Sequence, residues 1–137
     1  MSDEFQLHPQ LATDSVLLAD WPLCQLRLSN DRQYPWFILV PRRVAVRDVI
    51  DLTEAEQEQL WRESRLLSQW LRTDYQPDKL NLAALGNMVP QLHIHHIARF
   101  QHDKAWPAPV WGKYPPQPYQ DTELAELQQR WSLRRFE

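Results

Sequence analysis

The sequence predicts an α+β fold: an antiparallel β-sheet, one long helix packed on it, and a C-terminal arm ending in a second helix. Three observations carry this expectation. Two strand-like stretches, Cys24–Leu28 and Trp36–Val40, flank a polar turn. A capped helical repeat begins at Thr53. Two further strand segments are separated only by Gly86–Pro90, and so short a loop joins antiparallel strands most simply.

The bounds on function come from composition. A chain of 137 residues is expected to form a single domain over 1–137, with a core from about 5 to 104 and an arm and helix from about 105 to 137. A net charge of -3 offers no broad basic surface, which argues against a nucleic-acid partner. One cysteine, Cys24, excludes an intrachain disulfide and cysteine-rich zinc motifs, and fits a reducing compartment. The acidic start, Met1-Ser2-Asp3-Glu4, is followed by no long apolar run, so neither a membrane span nor a signal peptide is expected and the cytoplasm is the default.

Residues 5 to 20 read as a short helix or irregular lead-in, with Pro9 near the start of Gln10-Leu11-Ala12. Cys24, Leu26 and Leu28 alternate with Gln25 and Arg27, the pattern of a half-buried strand. Ser29–Gln33 is polar and turn-forming, and Trp36–Val40 is a continuous apolar strand closed by Pro41, so the two strands make a hairpin. Thr53 and Glu56 form a capping box at the start of a helix running to about Asp74. Leu60, Ser64, Leu67 and Leu71 give it an apolar stripe that Trp61 and Trp70 are expected to widen. Lys79–Leu85 is a third strand. The proline-dense stretch from Trp106 to Pro116 predicts an extended arm, and Leu124, Leu127 and Trp131 mark a helix begun by Asp121 or Thr122.

The chain is organised around Gln91-Leu92-His93-Ile94-His95-His96-Ile97-Ala98-Arg99-Phe100, which holds three of its five histidines. Side chains alternate along a strand, so Gln91, His93, His95, Ile97 and Arg99 share one face. Leu92, Ile94, His96, Ala98 and Phe100 share the mostly apolar other. Three readings compete for the histidines. They are ordinary strand residues; or His93 and His95 begin a metal site, with His102, His8 or a carboxylate as a third ligand that no motif identifies; or a neutral imidazole acts as a nucleophile on phosphorus.

The run Gln91–Ile97 resembles the histidine triad motif, His-φ-His-φ-His-φ-φ with φ apolar. The resemblance extends back through the strand Trp36–Pro41, the capped helix and Gly86-Asn87, covering most of residues 20 to 100. The pattern Ala-Leu-Gly-Asn-x-Val-Pro-Gln-Leu-His-x-His-His-Ile-Ala-Arg is similar to a bacterial branch described as HIT family hydrolases. The resemblance implies a HIT-like fold and pairing into a homodimer. It implies that His93 attacks the α-phosphate and becomes nucleotidylated, and that His95 contacts the phosphate oxygens. Gln91 stands where the first histidine should be, and an amide able to donate and accept could take over its orienting role. Asn87 is placed near the phosphates or the leaving group, and Asn30 or Asp31 near the ribose hydroxyls.

The departures are Gln91 itself and His96, where an apolar residue is expected; His96 reads as a satisfied core histidine facing the other way. The loop Asn87–Gln91 also lacks the Gly-rich, Ser/Thr-bearing segment that handles the leaving group in dinucleotide and phosphoramidate hydrolases. Arg99 is a candidate phosphate ligand, with a salt-bridged sheet arginine as the competing reading. Trp106 and Trp111 either wall a base pocket or anchor the arm on a dimer partner, and the anchor is the expectation. The expected activity is nucleotidyl hydrolysis or transfer on a dinucleoside polyphosphate or nucleoside phosphoramidate through a nucleotidyl-His93 intermediate. No metal or other cofactor is required by that nucleophile, although Mg could accompany a polyphosphate substrate. The alternative is a nucleotide-binding or scaffold protein with little turnover.

Overall fold

The computed structural model describes residues 4–136, so the acidic start at Met1–Asp3 lies outside the described residues. Five strands form one antiparallel sheet: β1 (Ser15–Asp20), β2 (Cys24–Ser29), β3 (Trp36–Pro41), β4 (Lys79–Ala83) and β5 (Ile94–Arg99), in the order β1-β2-β3-β5-β4. The predicted hairpin is β2–β3, with Leu26 opposite Leu39 and Leu28 opposite Phe37. The histidine strand β5 lies between β3 and β4, antiparallel to both. Helix α1 (Pro9–Asp14) precedes the sheet, α2 (Glu54–Tyr75) follows β3, and α3 (Asp121–Ser132) is the last element among the described residues. Among the described residues no helix is long and apolar enough to cross a membrane.

The lead-in is half helix and half strand: α1 is short, as expected, but β1 was not anticipated. A register shift between Leu17 and Ala19 breaks the two-residue period, so only Ser15 and Leu18 are buried and no clean alternation appears in the sequence.

Alternation along β2, β3 and β5 separates the two faces of the sheet. Leu26, Leu28, Phe37, Leu39 and Ile94 pack with Leu60, Leu67 and Leu71 of α2 and with Trp131 of α3. Each fully buried leucine adds about 2 kcal/mol to this layer. Thr53 caps α2 through the capping box, and the helix ends where Gln76 turns left-handed. Cys24 is a core residue, and burial beside Glu63 pushes its thiol far above the ordinary range. Glu63, fully buried, accepts the amides of Leu23 and Cys24 and so ties α2 to the start of β2.

Two expectations for the outer elements are corrected. Trp61 is 65% exposed, because the line through Leu60, Ser64, Leu67 and Leu71 points about a quarter turn away from it. The arm is not extended throughout. Trp106, Ala108 and Lys113 donate back to Asp103, Ala105 and Val110 in successive tight turns, and only 115–120 runs free of turns, helix and strand.

Candidate functional site

The sheet face opposite α2 carries Trp36, Ile38, His95 and Ile97, since Ile38 pairs with His95 and Trp36 with Ile97. Over its end lies a cleft of about 650 Å³, within the range of small-molecule sites. Trp36, Ile38, His93 and His95 line it from the sheet; Leu11, Thr13 and Asp14 from α1 and its end; Asn30 and Asp31 from the end of β2. The loop Gly86–Val89 and the arm residues Val110, Trp111 and Tyr114 complete the wall. Gly86 holds φ at +65°, a left-handed turn that glycine adopts without strain, at the head of the loop bearing Asn87.

The tautomers of the two cleft histidines follow from their partners. His93 Nδ1 lies 2.7 Å from the main-chain carbonyl of Gln91. A carbonyl only accepts, so Nδ1 carries a proton, and in the neutral ring Nε2 holds the lone pair. The Trp36 indole N–H donates to His95 Nδ1 at 2.9 Å, so a neutral His95 carries its proton on Nε2. Burial, helped by His93 and His96, lowers the His95 pKa to about 3, which keeps the ring neutral near pH 7. The rings stand 4.9 Å apart, nearly perpendicular. One nitrogen lone pair and one N–H donor are therefore presented side by side.

The remaining predicted residues divide. Asn87 is exposed on the loop and lines the cleft. Asn30 and Asp31 both line it as well, and each also fastens the arm: Asn30 Oδ1 accepts from the Tyr119 amide, and Asp31 Oδ1 from the amides of Gln33 and Gln117. The role expected of the Gln91 side chain is corrected. Its amide does not orient the histidines; Oε1 accepts from the His8 amide and Nε2 donates to the Gln6 carbonyl, clamping the segment that leads into α1. The main-chain carbonyl of the same residue holds His93 instead. Arg99 is withdrawn from the cleft: it is 2% exposed, and its donors are taken by Asp103, Asn81 and the Ala108 carbonyl.

Trp106 and Trp111 pack on their own chain. Trp106 lies over the Arg99 guanidinium, and Trp111 stands 5.2 Å from the His95 ring as a wall of the cleft. The cleft residues missed by sequence reasoning include Trp36, Leu11, Thr13 and Asp14. Trp36 reads as one more apolar strand residue, and only the β3–β5 register brings it to His95.

His96 faces the α2 core, where it is fully buried between Ser64 Oγ, 2.7 Å from Nε2, and the Ile94 carbonyl, 3.1 Å from Nδ1. Burial lowers its pKa to about 4, against about 6.5 for an unfolded histidine. The unfolded chain thus binds more protons between these values. The stability gained from a neutral His96 is complete above pH 6.5 and is lost as pH falls toward 4. Denaturant titrations across this window should show that slope, and His96→Gln should flatten it.

Among the described residues no three His, Cys, Asp or Glu side chains converge as a metal-ligand set, so the metal reading gains no third ligand. An antiparallel sheet presenting two oppositely protonated histidines at a cleft defines the class, an α+β protein built around a histidine strand. The chain belongs to the HIT domain family, which it matches over residues 10–102. A histidine triad protein from Marinobacter aquaeolei VT8 is similar at 48% identity over 93% of each chain, with a TM-score of 0.90. One from Bradyrhizobium japonicum is 43% identical over 93% of this chain and 96% of that one, also at 0.90. The chain is 30% identical over 69 residues to the bis(5'-adenosyl)-triphosphatase of Saccharomyces cerevisiae, covering 47% of this chain and 34% of the yeast protein. It thus spans about a third of the length of that curated relative.

Proposed function

We propose that this protein cleaves nucleotide conjugates at the α-phosphorus through a covalent nucleotidyl-His93 intermediate. The observation that carries the reading is the His93 tautomer, with Nδ1–H bonded to the Gln91 carbonyl and Nε2 left as the nucleophilic nitrogen at the cleft. In the first step the Nε2 lone pair forms a bond to phosphorus. The bond to the leaving group breaks, and that group departs with the electron pair and takes its proton from water. The ring becomes cationic, and its Nδ1–H bond to the carbonyl strengthens as it does so. The His95 Nε2–H donates to a non-bridging phosphoryl oxygen, where charge develops. In the second step a water oxygen attacks phosphorus, the P–N bond breaks, its pair returns to Nε2, and the water's proton is released. Asp31 through Oδ2 and Asn30 through its amide N–H are assigned to the ribose hydroxyls, and Asn87 to the phosphate or leaving group.

Charge selects among substrates. The cleft lining includes Asp14 and Asp31 and, among the described residues, no lysine or arginine. Lys104 and Lys113 lie against the ring of Tyr114, which lines the cleft. A substrate with one phosphoryl charge, such as a nucleoside phosphoramidate, suits this lining better than a bare polyphosphate, which would need bound Mg to offset its charge. The yeast relative favours the second reading, a dinucleoside polyphosphate substrate. The edge strand β4 and its following loop leave Leu82, Leu85 and Met88 exposed, which supports a homodimer as the working unit.

The test compares adenosine phosphoramidate with diadenosine triphosphate, with and without Mg. The phosphoramidate should lead in kcat/KM by at least about tenfold without Mg, and the gap should narrow when Mg is added. Intact-mass analysis of quenched reactions should show one nucleotidyl group on His93. Tight binding of both compounds with no turnover and no adduct would instead establish the binding-protein alternative.

A further inference from the structure

We infer that Trp36 is a positioning residue for His95, its indole N–H fixing that ring as an Nε2–H donor and barring it from taking up a second proton. The inference rests on the proposed reaction, in which His95 donates to the phosphoryl oxygen. It goes beyond it by naming what sets the donor.

The β3–β5 register places Trp36 one step diagonally from His95 on the same sheet face, with the ring centroids 5.7 Å apart. Trp111 meets the Trp36 ring edge-on at 6.1 Å, and Tyr34 stands 6.4 Å away, so the indole is held on two sides. Its Nε1–H reaches His95 Nδ1 at 2.9 Å. An indole nitrogen can donate and cannot accept. The bond therefore exists only while His95 Nδ1 is unprotonated. The Nδ1–H tautomer and the imidazolium would each set an N–H against the indole N–H, and a flip of the imidazole about its Cβ–Cγ bond would carry Nδ1 away from it. What remains is one ring orientation with the proton on Nε2.

The partner of His93 has the opposite polarity. A main-chain carbonyl accepts from Nδ1–H and tolerates a cationic ring, as the proposed first step requires. A donor holds His95 and opposes its charging. Two imidazoles 4.9 Å apart would repel if both were charged, and the two partners assign the charge to His93 alone. Gln91 and Trp36 thus divide two chemically identical side chains into nucleophile and donor.

Trp36→Phe keeps an aromatic ring on β3 and deletes the N–H. In the 15N-labelled wild type, His95 should show an unprotonated Nδ1 and a protonated Nε2 near pH 7, with the Trp36 indole proton shifted downfield. In the variant the two His95 nitrogen shifts should move toward an exchange-averaged pair. Its kcat should fall about tenfold while KM changes less than about threefold, the size expected for one lost orienting hydrogen bond. In a His95→Asn background the same substitution should cost little more, because its effect runs through His95. A wild-type His95 protonated on Nδ1 would overturn the inference even if the variant failed to fold. So would a folded variant with an unmoved His95 pattern. The spectrum reads the tautomer whether or not turnover occurs. Failure of the nucleotidyl reaction would appear as absent turnover with the His95 pattern intact, and failure of the positioning role as a pattern indifferent to Trp36.

Discussion

Replacing His93 with asparagine is expected to abolish turnover, lowering kcat by at least about 10⁴-fold, while the protein stays folded. The asparagine amide can still reach the Gln91 carbonyl, so the local bond has a substitute. It offers no ring lone pair to phosphorus. His93 is 7% exposed, but it lines the cleft and lies outside the apolar cluster under α2, so its replacement leaves that core intact. The measurement pairs hydrolysis of the phosphoramidate with a thermal melt and intact-mass analysis of the quenched protein. The melt should match the wild type within a few degrees, and the nucleotidyl adduct should be missing. Residual hydrolysis within tenfold of the wild type would remove His93 from the covalent role.

Arg99→Met should act on stability instead of chemistry. Arg99 and Asp103 are 2% and 5% exposed, and the pair is bonded from Nε at 2.8 Å and from Nη2 at 3.1 Å. Tyr34 and Trp106 lie against the guanidinium, and Asp103 also accepts the amides of Phe100 and Trp106. Removing the cation strands a buried carboxylate, a loss of about 3–5 kcal/mol, which for a chain of this size lowers Tm by roughly 10 °C. Turnover per folded molecule should change little, because Arg99 is buried and does not line the cleft. An unaltered Tm with lost activity would return Arg99 to the substrate. The pair also sets a pH dependence. Burial pushes the Asp103 carboxyl up, but Arg99 and the two amides outweigh it and hold the pKa below the usual value. The stabilisation is therefore complete above the ordinary carboxylate range and is lost as pH falls through the lowered pKa. The difference in unfolding free energy between wild type and Asp103→Asn should be largest near pH 7 and close in acid.

Local pattern was enough for much of the architecture. Alternation gave β2, Thr53 and Glu56 gave the start of α2, and the link at Gly86–Pro90 gave the antiparallel pairing of β4 with β5, although the connection proves longer, from 84 to 93. It also placed His95 and His96 on opposite faces, because the strand period depends on the backbone alone; β5 begins only at Ile94, and His93, just before it, reaches the same cleft as His95. These features involve neighbours in sequence, and such neighbours carry their own geometry. β1 escaped because a bulge at the sheet edge disturbs that period.

What the sequence by itself determined, then, is four of the five strands, the capped helix and the segment bearing the histidines. Tertiary structure alone decided which polar partner each side chain meets. The Gln91 amide turned to residues 6–8 and left its carbonyl to His93. Arg99 closed on Asp103, and the arm folded back to set Trp111 against His95. Trp36 reached His95 across 59 positions of chain. A hydrogen bond between distant residues depends on the register and docking of whole elements, which no local periodicity encodes; such a bond sets the proton of His95, while a carbonyl two residues away sets that of His93.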